Sequence, residues 1–114
     1  MTKGKVILVP FPLDDLSGAK VRPAVCLTEP IGGYRHVVVA FVTSQLPASP
    51  LPSDVVFLPQ DPDFAATGLR VASTLRLHRM MTLSASLIRR ELGDLSPKRR
   101  ADVATKLAAL FGLG

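Results

Sequence analysis

His36-Val37-Val38-Val39-Ala40-Phe41-Val42-Thr43 is an almost unbroken run of β-branched and aromatic residues. With no polar alternation, it predicts a central strand covered on both faces. On its N-terminal side Ile31-Gly32-Gly33-Tyr34 reads as a turn, preceded by a strand from about Arg22 to Thr28. On its C-terminal side residues 45–53, Gln-Leu-Pro-Ala-Ser-Pro-Leu-Pro-Ser, hold three prolines and predict an exposed loop. Further out, Lys5 to Val9 predicts a first strand, stopped by Pro10-Phe11-Pro12. Residues 13–20 form a polar loop with turn chemistry at Asp15, Ser17 and Gly18. Asp54 to Leu58 is a short strand, residues 59–68 a turn-rich connection, and Val71 to Met81 another strand. In that last strand Leu75 and Leu77 alternate with Arg76 and His78, which predicts an apolar pair on one face and the two polar side chains on the other.

The final quarter reads as helical. Ser84 is placed to cap a short helix through Leu92, ended by Gly93. Ser96-Pro97 then supplies an N-cap followed by proline at the first helical position. Val103, Leu107, Leu110 and Phe111 recur with the helical period, and Gly112 ends the pattern. Five or so short strands with terminal helices predict a mainly β, antiparallel, barrel-like sheet closed by a C-terminal helix. Parallel βαβ winding is disfavoured because no helix lies between the strands.

At 114 residues and 47% hydrophobic, the chain is expected to be one domain over residues 1–114 with a real core. No apolar run approaches the roughly 20 residues of a membrane-spanning helix. Only Val6 to Val9 separate Lys5 from Pro10, too few for a signal-peptide core, so a cytoplasmic location is expected. The lone cysteine, Cys26, excludes an internal disulfide and lies in the apolar run Ala24-Val25-Cys26-Leu27, as a core residue would. The net charge is +5, and residues 70–114 carry nine bases against three acids, a local +6. A polyanion or an acidic protein segment suits such a surface.

Common catalytic signatures are missing: there is no glycine-rich phosphate loop, no His-Glu-x-x-His, no Gly-x-Ser-x-Gly, and only two histidines, His36 and His78. Asp14-Asp15 is the one adjacent carboxylate pair and reads as turn chemistry. What remains is polar residues at strand ends. Lys20-Val21-Arg22-Pro23 opens the second strand, Thr43-Ser44 closes the central one, and Arg76 and His78 share a later strand. Strand ends gathered beside one loop are a common way to build a site, and two arginines suit phosphate.

Gly4-Lys5-Val6-Ile7-Leu8-Val9-Pro10-Phe11-Pro12, then Leu16-Ser17-Gly18-Ala19-Lys20-Val21-Arg22-Pro23-Ala24-Val25, resembles the opening of MazF/PemK-type toxins of bacterial type II toxin–antitoxin systems. The resemblance continues in Val42-Thr43-Ser44, Gly68-Leu69 with Ser73, Met81-Thr82-Leu83 and Leu92-Gly93-Asp94-Leu95-Ser96, and so covers essentially the whole chain. It implies a small SH3-like β-barrel of the MazF/CcdB kind, assembled as a homodimer. It also implies a cytoplasmic, metal-independent endoribonuclease (an mRNA interferase) that cuts single-stranded RNA, needs no cofactor and is inhibited by an antitoxin with an acidic C-terminal segment. On the matching positions Arg22 and Thr43 are the implied catalytic pair. Ser17, Lys20, Ser44, Arg76 and His78 are the implied RNA-binding residues, and His78, as a histidine, is also a candidate for acid–base work. Relatives usually carry Asp where this chain has Lys5, and many have an acidic residue where His78 stands. The competing reading is a binding module on the same fold: a CcdB-like, gyrase-binding toxin without catalysis, or a degenerate nucleic-acid binder.

Overall fold

The computed structural model describes residues 1–10 and 20–114. Its strands are β1 (Lys5–Pro10), β2 (Val21–Cys26), β3 (His36–Thr43), β4 (Asp54–Phe57), β5 (Ser73–Ser84) and β6 (Arg90–Asp94), followed by the helix α1 (Pro97–Leu110). They form one curled antiparallel sheet in the order β4-β5-β3-β2-β1-β6, and β3 lies inside it with the bounds expected from its apolar run. The loop expected at residues 13–20 falls, up to residue 19, outside the described residues.

Strand register sorts the side chains into two clusters. Val6 faces Val25, and Val25 faces Ala40. These belong to a core with Val42, Val55, Phe57, Leu75 and Leu77, against which α1 lays Val103. The intervening positions Ile7, Ala24 and Phe41, also cross-strand neighbours, form the second cluster with Val9, Cys26, Val37, Val39 and Leu83. Both faces of the central strands are therefore buried, which is why β3 carries no polar alternation. Cys26 belongs to the second cluster, and burial pushes its thiol up to about 11. It stays protonated and unreactive at neutral pH.

One sequence expectation is corrected. The segment from Ser84 to Leu92 is not a helix: Ser84 caps only a 3-10 turn over Ala85–Leu87, and Arg90–Asp94 is a sixth strand on the edge of β1. A helix of about nine residues has little stability of its own, whereas the open edge of β1 offers a row of backbone partners. Gly93 ends no helix; it lies opposite Val6 in the β1–β6 ladder. A feature absent from the sequence reading lies in β5. Arg76 pairs with Phe41, but the next residue of β3, Ala40, pairs with Met80, so residues 77–79 bulge out of the ladder. Leu77 stays with Leu75 in the core and Arg76 and His78 stay outside it, as the alternation predicts, but the bulge ends the ladder between Arg76 and His78.

At the start of α1, Ser96 caps the helix by accepting the Arg99 N–H and also donates to Asp63 Oδ2 at 2.7 Å. Arg99 ties the helix to the connection after β4. It reaches Asp61 at 2.8 Å and Asp63 at 3.2 Å, donates to the Val56 carbonyl at 3.1 Å, and lies 4.7 Å above the Phe57 ring. Of the helical stripe, Val103 and Leu107 pack on the sheet, whereas Leu110 and Phe111 are exposed. Arg99→Ala is expected to cost about 2–3 kcal/mol, because it leaves two partly buried carboxylates without their cation. The Ser96 hydroxyl and then the Arg99 charge hold the Asp63 carboxyl below its ordinary 3.8. A depressed folded-state value stabilises the fold above pH 3.8 and loses that contribution as pH falls below it. In urea melts, the deficit of Asp63→Asn should therefore be full at neutral pH and close in acid.

Candidate active site

The C-terminal ends of β1 and β3 and the N-terminal ends of β2 and β5 meet at one end of the sheet. A cavity of about 730 Å³ opens there, lined among the described residues by Arg22, Thr43, Ser44, Ser73 and Arg76, among others. Its placement follows from register. Ala24 pairs with Phe41, so two residues further along the ladder Arg22 comes opposite Thr43. Phe41 in turn pairs with Arg76 on its other side. Side chains two apart on a strand share a face, so Arg22, Thr43 and Arg76 sit together on one. From first to last they span more than fifty residues of sequence.

Thr43 closes β3 with its hydroxyl oxygen accepting the Gln45 N–H at 3.1 Å. The hydroxyl proton is left able to donate to a ligand. Arg76 Nε lies 2.8 Å from Asp54 Oδ1. Arg70, Arg79 and Arg90 also line the cavity, making five arginines in all, and no carboxylate lines it among the described residues. An anion is what such a lining attracts.

The other expected site residues are distributed as follows. Ser17 lies outside the described residues, as do Asp14 and Asp15. Lys20 is exposed just before β2 and His78 is exposed on the β5 bulge; neither is in the cavity lining. The bulge explains the separation of Arg76 from His78, because the three-residue insertion brings Arg79, and not His78, to the cavity. Lys5, the departure noted at the first strand, also lies elsewhere: it pairs at 3.5 Å with Asp94, its cross-strand neighbour, and with Glu91. Those two carboxylates raise its pKa. Arg70 and Arg90 carry no signal of their own in the sequence, since one falls between the turn-rich connection and the strand expected from Val71 and the other in the segment read as helix. Their trace in the sequence is the local +6 of residues 70–114. Among the described residues no group of three or more His, Cys, Asp or Glu is arranged to hold a metal ion.

No curated protein matches the sequence. Among solved structures, the chain is similar to the toxin MazF-mt6 of Mycobacterium tuberculosis, with a TM-score of 0.74 and 20% identity over 96% of this chain and 98% of that one. It is similar as well to an endoribonuclease from a Mycobacterial species in complex with its cognate antitoxin, with a TM-score of 0.69 and 20% identity over 100% and 97% of the two chains. A third likeness is to MazF in a MazE–MazF complex from Deinococcus radiodurans, with a TM-score of 0.69 and 22% identity over 100% and 98%. At these identities the structures speak for the fold. The family profile of PemK-like, MazF-like toxins matches residues 2–111, and by that match the chain belongs to this family of type II toxin–antitoxin toxins.

Proposed function

We propose that the protein is a metal-independent endoribonuclease that cuts single-stranded RNA at a short sequence, using the substrate's own 2′-OH as nucleophile. The observation that carries this reading is the convergence of Arg22 and Thr43 in a cavity with four further arginines. RNA brings its nucleophile with it, so the protein needs neither an activated serine nor a bound water. Its task is to hold the 2′-OH in line with phosphorus and to stabilise the charge that builds on the non-bridging oxygens. Arg22 offers a forked, permanently charged donor set, and Thr43 a further hydroxyl donor. The remaining arginines hold the flanking backbone. The 2′-oxygen bonds to phosphorus as the P–O5′ bond breaks; the 2′-OH proton passes to solvent and the leaving 5′-oxygen takes one from solvent, giving a 2′,3′-cyclic phosphate and a 5′-OH end.

The same lining suits an inhibitor. An antitoxin segment rich in carboxylates would compete with RNA for these arginines, as expected of a family held silent by a partner. A homodimer in the cytoplasm is part of the same proposal.

His78 stands apart from the cavity lining, and in this reading takes no part in proton transfer. His78→Ala is expected to change kcat by about twofold or less, as exposed substitutions of roughly 0.5 kcal/mol do, and to leave the shape of the pH–rate profile intact. A lost acidic limb would return His78 to the mechanism.

The function itself is tested by incubating the protein with a long RNA in EDTA and mapping the new 5′ ends. Discrete cuts at a shared short sequence are expected. Intact RNA, together with inhibition of gyrase, would favour the non-catalytic toxin.

A further inference from the structure

Arg76 differs from the other cavity arginines in what lies behind it. Across the β4–β5 ladder its partner in register is Asp54. The Asp54 side chain is wholly buried, at 0% exposure, while that of Arg76 keeps 23% and reaches the cavity lining. Asp54 Oδ2 accepts the Leu51 N–H at 2.8 Å, which fixes the carboxylate at the start of β4. Its Oδ1 lies 2.8 Å from Arg76 Nε, although the N–H is not aimed along that line and, among the described residues, no other group hydrogen-bonds either atom. The attraction is therefore charge on charge. Among the described residues the carboxylate is compensated by the Leu51 N–H and by one neighbouring cation, the Arg76 guanidinium.

We propose that Asp54 is a positioning residue: by holding Arg76 at Nε it leaves the two terminal nitrogens of the guanidinium to grip a phosphate of the bound strand. The contact is ionic and not a hydrogen bond, but a guanidinium is a rigid plane, so charge attraction on its Nε side favours poses in which the two terminal nitrogens face away from Asp54. Arg76 stands on β5, two strands and roughly 10 Å from β2, which carries Arg22. The proposal rests on the RNA reading given above, and assigns a role to β4, which contributes no residue to the cavity lining.

Asp54→Asn separates positioning from simple electrostatics, because the two push in opposite directions. Asparagine keeps an oxygen for the Leu51 N–H and removes a negative charge close to a polyanion site. Coulomb attraction alone would then tighten RNA binding. Loss of a positioned fork should instead weaken it, by about tenfold. The readout is the Kd for an uncleavable single-stranded oligoribonucleotide of mixed sequence, 2′-O-methylated throughout, with thermal melting as the check on folding. In an Arg76→Ala background the same change should have no further effect, since the two residues act through one contact. Arg76→Lys keeps a cation for Asp54 but lacks the fork, and should weaken binding by a similar factor even if Asp54→Asn fails to fold. Unchanged or tighter binding by a folded Asp54→Asn, an additive effect in Arg76→Ala, or full binding by Arg76→Lys would overturn the proposal. Because binding is measured without cleavage, a protein that binds the strand but never cuts RNA would sink the nuclease reading and leave Asp54 to be judged by its Kd. A wild-type protein that does not bind the strand would sink both.

Discussion

Replacing Arg22 with alanine is expected to lower kcat for RNA cleavage by about 100-fold or more, the scale of losing one donor to a developing oxyanion. The effect should fall on kcat more than on KM, because charge on the non-bridging oxygens grows only toward the transition state. Four other arginines remain in the cavity lining to bind the strand. Arg22 sits at an exposed position near the start of β2, outside both apolar clusters. The folded state should therefore survive, as circular dichroism and thermal melting would show. Near-normal cleavage by a folded Arg22→Ala protein would move the chemistry elsewhere.

Gly93→Ala is expected to be among the most destabilising single changes in the protein, costing about 3 kcal/mol or more. A Cβ at this position would stand 2.2 Å from the Ala66 carbonyl oxygen and 2.6 Å from the Thr67 carbonyl carbon. Those neighbours are backbone and cannot swing aside. Gly68, with φ of +72°, is pressed in the same way against the Leu92 carbonyl, so β6 and the turn at Ala65–Thr67 meet backbone to backbone. Gly68 and Leu92 both line the cavity, so the damage should reach activity as well as stability. A glycine that merely ended a helix would cost about 1 kcal/mol on the same change. Urea denaturation distinguishes the two magnitudes.

That contrast marks where sequence reasoning stops. The strand at His36–Thr43 was legible because eight residues carry one message, and the start of α1 because Ser96-Pro97 is local chemistry. β6 was not, since its state is decided by the free edge of β1, some ninety residues away in sequence. The β5 bulge belongs to the pairing with β3 and leaves no mark on the periodicity of Leu75 to His78. The same holds at the cavity. Arg22, Thr43, Ser44 and Arg76 stand at strand ends that could be read from composition, and they do meet. Arg90 and Asp54 could not be placed, one hidden in an apparent helix and the other buried at the first residue of a short strand. Arg99 likewise reads as one base among nine in a basic tail, yet it is the clasp between α1 and the segment after β4.

The most direct test of the proposed chemistry is a single atom of the substrate. An oligoribonucleotide carrying the mapped cleavage sequence should be cut in EDTA to a 2′,3′-cyclic phosphate and a 5′-OH end. The same strand with one 2′-deoxy sugar at the cut should bind with similar affinity and remain whole. Cleavage of the deoxy-substituted strand at an undiminished rate would show that the nucleophile is not the 2′-OH, and that Arg22 and Thr43 serve some other reaction.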